Sequence, residues 1–133
     1  MTVTKVLFAL AATATAALGA TPVFADCSYP PPPDHLPDGN TATLADMVAG
    51  QKAVKDYDKA INAYVACIKL EHDDAVSKGG EKLTKEQKTD MERVEVQKHN
   101  AAIDQLQSVA DRFNEQVRVF KQKSADASAN KKS

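Results

Sequence analysis

Two cysteines, Cys27 and Cys67, are the only thiols in 133 residues. A pair of thiols in an oxidising compartment closes into a disulfide, and a chain that carries only two most simply joins them. The densest polar cluster is Glu71-His72-Asp73-Asp74. A histidine beside carboxylates offers donors to Zn²⁺ or Cu²⁺, but a site needs three or four of them converging. On a helix Asp73 and Asp74 project about 100° apart, and His72 falls about 20° from Ile61 on the apolar stripe. The expectation is a solvated charged end with one inward histidine; His72 and Asp73 are the weak metal candidates. His35 and His99 stand alone. A haem would need an axial pair from Met47 or Met91 with His72 or His99, in a pocket that a helical hairpin does not enclose, and there is no C-x-x-C-H attachment motif. No G-x-S-x-G and no phosphate loop occur. Lys78, Glu81, Lys82, Lys85, Glu86 and Lys88 alternate in sign, as a solvated helix face does. The chain is therefore expected to be no enzyme, with no catalytic residue and no cofactor.

Charge and hydropathy narrow the partners. The formal net charge is −1, which leaves no electrostatic footprint for nucleic acid. After residue 25 no apolar run approaches the ~20 residues that a membrane span requires. Residues 1–25 read as a secretory signal peptide. Lys5 supplies the positive start, Val6 to Leu18 the apolar segment, and Val23-Phe24-Ala25 the cleavage site before Asp26. The protein is expected to be exported, either periplasmic or secreted.

The chain divides into an arm, two helices and a tail. Residues 26–42 hold three acids and no Lys or Arg, with four consecutive prolines at 30–33 that favour a polyproline II rod. Pro37-Asp38-Gly39 is a turn signal. Thr43-Leu44-Ala45-Asp46 resembles a capping box, and a helix is predicted over 43–78. Its apolar residues Met47, Val54, Ile61, Ile68 and Ala75 stand seven apart. Gly79-Gly80 stops it. Thr84-Lys85-Glu86-Gln87 caps a second helix over 84–123, with a stripe of Met91, Val94, Lys98, Ala102, Leu106, Val109, Phe113, Val117 and Phe120. Residues 124–133 are small and polar and are expected to fray. The fold class is all-α: a long antiparallel two-helix hairpin with coiled-coil-like spacing.

Geometry allows the arm to fold back. Cys67 lies about 36 Å along the first helix from Thr43, and the arm in polyproline II reaches about 50 Å. A Cys27–Cys67 disulfide would pin it there. Ala53, Ala60 and Cys67 form a small-residue row beside Tyr57 and Tyr64, a groove in which proline rings can pack. The second helix keeps apolar surface in reserve. Val96, Ile103 and Ala110 widen its apolar arc to roughly 200°, where about 100° serves one interface. The partner face is expected at Ile103, Leu106, Val109 and Phe113. A second copy, giving a homodimeric four-helix bundle, is the leading cover for it, with another protein the alternative.

Leu36-Pro37-Asp38-Gly39, then Met47, Gln51, Val54 and Tyr57, then Tyr64 with Cys67-Ile68, resembles the pattern of small secreted proteins of Gram-negative bacteria of unassigned function. The resemblance spans residues 26–72. It implies an envelope location and the Cys27–Cys67 pairing, and supplies no activity. The expected function is that of a non-enzymatic exported envelope protein acting through protein–protein contacts. A periplasmic holdase-type chaperone is the alternative, and a metal or haem carrier the weakest.

Overall fold

The structure is a computed structural model that describes residues 27–131. The expected signal peptide, residues 1–25, lies outside the described residues, as do the last two of the expected tail. Two helices make the hairpin: α1 over Leu44–Gly79 and α2 over Lys85–Asn130, joined by a 3₁₀ turn at Gly80–Lys82. No strand occurs among the described residues.

Both helix starts are fixed by reciprocal side-chain caps. The Thr43 hydroxyl accepts from the Asp46 N–H at 3.2 Å, and the Asp46 carboxylate accepts from the Thr43 N–H at 2.8 Å. Thr84 and Gln87 repeat the arrangement at 3.2 and 2.8 Å. Each box satisfies donors that a helix start leaves without intrahelical partners. At the other end of α1, Gly80 takes a positive φ of 49°, the kind of backbone that a side chain resists.

The core is short for helices of 36 and 46 residues. Tyr57, Ile61, Tyr64 and Ile68 of α1 meet Ala102 and Val109 of α2, with Met47 and Phe113 buried towards the base. The seven-residue spacing through Ala75 suggests a seam that reaches the tip, but Ala75 is exposed and the packed core ends at Ile68. Opposite it stand exposed Val94 and Lys98, so the stripe of α2 becomes core only from Ala102. An alanine facing a lysine has too little apolar area to hold two helices together.

The second helix also differs at its end. It continues to Asn130 rather than fraying after Lys123. No Gly or Pro interrupts residues 124–130, and the hydroxyls of Ser124 and Ser128 donate to the carbonyls of Phe120 and Ser124, each at 2.8 Å. This last stretch is exposed throughout, so only local hydrogen bonds sustain it.

The arm folds back along the hairpin. Cys27 and Cys67 are bonded, with Cα atoms 5.8 Å apart and a sequence separation of 40. The Tyr29 ring meets Tyr64 edge to face, centroids 5.0 Å apart. Under it the Tyr57 hydroxyl is buried without a hydrogen-bond partner. Burial, and secondarily the neighbouring Tyr29 phenol, pushes the Tyr57 phenol up to about 12.

Closing a loop of this length restricts the unfolded chain by about 4 kcal/mol in the chain-entropy account. Replacing both cysteines by serine should therefore lower the free energy of urea unfolding by about that amount. A loss under about 1 kcal/mol would show that the arm is held by packing alone. A second expectation concerns pH. The unfolded Tyr57 phenol ionises near its ordinary value of about 10, below the folded one, so folding favours the protonated form. That contribution is whole below about pH 10 and declines as pH rises towards 12. Urea midpoints taken at pH 9 and pH 11 should fall more steeply in the native sequence than in Tyr57→Phe; parallel slopes would refute the burial of this hydroxyl.

Candidate functional site

The arm divides the hairpin into a covered side and an open side. Covering depends on close approach at two glycines. Gly50 is buried in α1, and a Cβ there would stand 2.6 Å from Pro37 and 2.9 Å from the Phe113 ring. Arm, α1 and α2 thus meet at one point that only a residue without a side chain permits. Gly39 does the same on α2, where an added Cβ would lie 2.2 Å from the Gln116 carbonyl oxygen. The Gly39 N–H donates to the Gln116 side-chain oxygen at 2.9 Å, and the Lys123 ammonium donates to the Asn40 carbonyl. The corner of the arm therefore crosses onto α2 before the chain enters α1.

The expected arm-packing residues lie where the spacing places them. Tyr57 and Tyr64 are buried, and Ala53, Ala60 and Cys67 are half-buried. Their partners are only partly those expected. Tyr29 supplies the ring on Tyr64, and Pro37 seats on Gly50, a position that the sequence marks only as a lone glycine inside a helix. That mark was a usable signal, because such a glycine costs about 1 kcal/mol and needs a packing reason.

The expected partner face requires correction. Val109 is 1% exposed and Phe113 7%, so both face inward within this chain. They lie on the same arc of α2 as Ala102, against the Tyr57–Ile68 row and the Gly50–Pro37 contact. Ile103 and Leu106 are half-buried and border an open groove with Val54 and Ala110. This groove is about 420 Å³, and its rim carries Lys55, Asp58, Asp111 and Asn114. Below it, Val117 and Phe120 are also half-buried, next to exposed Leu44 and Val48.

The polar cluster at 71–74 does not converge. The Lys69 ammonium donates to Asp73 at 2.8 Å and that of Lys78 to Asp74 at 2.7 Å. His72 Nδ1 lies 3.3 Å from the Asp73 carboxylate, and its Nε2 is buried without a partner. Lys69 first, and His72 next, hold the Asp73 carboxyl below the usual range. His72 and Asp73 are thus engaged with each other and with Lys69. No three His, Cys, Asp or Glu side chains among the described residues are grouped to hold a metal ion.

Beyond the core, no residue from 69 to 101 is buried as a whole. Leu70 is 70% exposed, Val94 42% and Val96 44%. A second cleft of about 420 Å³ opens here between the helices, floored by Ile68, Ala75, Met91 and Val94. The described residues thus leave two apolar surfaces uncovered: the groove opposite the arm and the loosely packed distal third. No described helix is long and apolar enough to cross a membrane, and the disulfide is consistent with an oxidising environment.

Searches for similar proteins leave these surfaces to be interpreted from their own chemistry: no family model, no curated protein and no solved structure matches this chain.

Proposed function

We propose that this is a non-enzymatic exported protein that acts through protein–protein contacts along the open side of its hairpin. One observation carries the reading. The arm covers one side of the helix pair, while on the other Val54, Ile103, Leu106, Ala110 and Val117 remain half-buried with no described segment over them. A half-buried apolar row on two adjacent helices is what one more layer of helices would complete. A second copy of the hairpin supplies that layer as a four-helix bundle. Export to the periplasm or beyond fits a protein whose arm is held by a disulfide and whose first 25 residues have the composition of a signal peptide.

A photo-crosslinking side chain placed at position 103 tests this in living cells. It should yield one discrete adduct, either the protein with itself or with a single other protein. Absence of any adduct at position 103, while the same side chain at another position of this protein does crosslink, would remove the open groove as a contact surface.

The distal third favours a second reading, a holdase that grips unfolded chains. Its observation is the exposed Leu70, Val94 and Val96 on a segment without buried residues. A holdase should suppress aggregation of a chemically denatured client at near-stoichiometric ratio. Replacing Leu70 and Val94 with serine should remove that suppression; a protein inactive before the replacement is no holdase.

A further inference from the structure

The arm has a side that the hairpin does not use. Along residues 27–36 burial repeats at every third position. Cys27, Pro30, Pro33 and Leu36 are half-buried, and the residues between them are all exposed. Three residues per turn is the period of a polyproline II helix, and Pro30 to Pro33 hold φ where that helix needs it. One edge of this rod therefore faces the helix pair. The other two edges face outward: Ser28, Pro31 and Asp34 form one, and Tyr29, Pro32 and His35 the other. Tyr29 gives only part of its ring to Tyr64 and stays 43% exposed.

The rod is tied at both ends, by the Cys27–Cys67 bond and by the Gly39 N–H on the Gln116 side chain. A loose proline segment must be ordered when it is bound. This one is ordered beforehand, so a partner meets a fixed rod at a lower entropic cost. A polyproline II helix makes no internal hydrogen bonds, so its outward carbonyls remain acceptors. At the lower end a cleft of about 570 Å³ lies between Asp34 and His35 of the arm and Arg112 and Glu115 of α2. Asp34 is the one carboxylate on the two outward edges, and Arg112 and Glu115 across the cleft are opposite in sign. No single-sign field results, which leaves shape, apolar contact and carbonyl acceptors as the basis of recognition.

We infer that the arm is a presented ligand as well as a clasp. Its partner is a protein with an aromatic-lined groove that reads polyproline II, seated on the Pro31-Pro32 step with Tyr29 at its flank. A groove of this kind takes two edges of a three-edged rod and leaves the third pointing away. Here the third edge is the one that already faces the helices, so binding requires no release of the arm. Aromatic rings cover the exposed pyrrolidines, and tyrosine or tryptophan donors at the groove rim reach the outward carbonyls. The surface lies on the side of the hairpin away from the open groove and does not depend on what fills that groove.

Photo-crosslinking from the two ends of the ridge, with decaproline peptide as competitor, tests the surface and its chemistry together. The photoreactive side chain replaces exposed Ser28 or exposed His35, which leaves all four consecutive prolines in place. In permeabilised cells each position should give a discrete adduct with another protein. Excess decaproline should suppress that adduct, and a Gly-Ser peptide of equal length should not. Pro31→Ala combined with Pro32→Ala should lower the yield about tenfold. Both prolines are exposed, so the urea midpoint of that variant should match the native one. No adduct from either position overturns the inference, and so does an adduct of the chain with itself. An adduct that decaproline leaves at full yield, or one that the double alanine variant retains, overturns it as well.

Discussion

Two helices side by side cannot enclose a core, and this constraint governs the molecule. Each helix buries one stripe against the other and leaves a groove on either side of the contact. Tyr57 and Tyr64 lie on such a flank, and their burial depends on a third element. The arm is that element. It is held at one end by the Cys27–Cys67 bond and at the other by the Gly39 crossing on α2. Between these points Tyr29 covers Tyr64 and Pro37 fills the notch at Gly50. Proline is suited to this place because it brings no backbone N–H that burial would leave unsatisfied.

The reach of the arm coincides with the extent of the core. Cys27 joins α1 at Cys67, and Ile68 is the last buried residue of that helix. Past that point the hairpin has two layers, and no residue from 69 to 101 is buried as a whole. Local opening costs least where few apolar contacts must be broken, so the tip is the low-stability end of the fold. Ion pairs such as Lys69–Asp73 and Lys78–Asp74 support it along α1. They are exposed i,i+4 pairs, screened by water, and add little. A rigid clasped base and a loosely joined tip therefore follow from where one short arm ends.

Local features of this fold are legible in the sequence, and features that depend on register are less so. Thr43 and Thr84 announce their helices because a capping box is complete within four residues, and Gly79-Gly80 announces the turn for the same reason. The cysteine pair is legible because two thiols in an oxidising environment have one simple solution within a chain. The Gly50–Pro37 contact is not, since it depends on how far the arm slides along α1. Nor is the inward direction of Val109 and Phe113. The apolar arc of α2 is wide, and spacing alone does not say which part of it α1 takes. Ala75 continues the seven-residue repeat perfectly well, yet the residue opposite decides whether a repeat becomes a core.

The two grooves of the hairpin differ in what can fill them. On the arm side the surface is small and aromatic, with Ala53, Ala60 and Gly50 admitting a backbone at close range. An extended strand of prolines fits there, and a helix, about 10 Å in diameter with its side chains, would not approach so closely. On the open side the half-buried residues are larger and branched: Val54, Ile103, Leu106 and Val117. Side chains of that size at helical spacing interlock with another helix rather than with a polyproline rod. The charged groups of this second groove, Lys55, Asp58 and Asp111, are exposed at its rim, where they keep their water, while its floor is apolar. The same physical argument that assigns the arm to one groove assigns helices to the other.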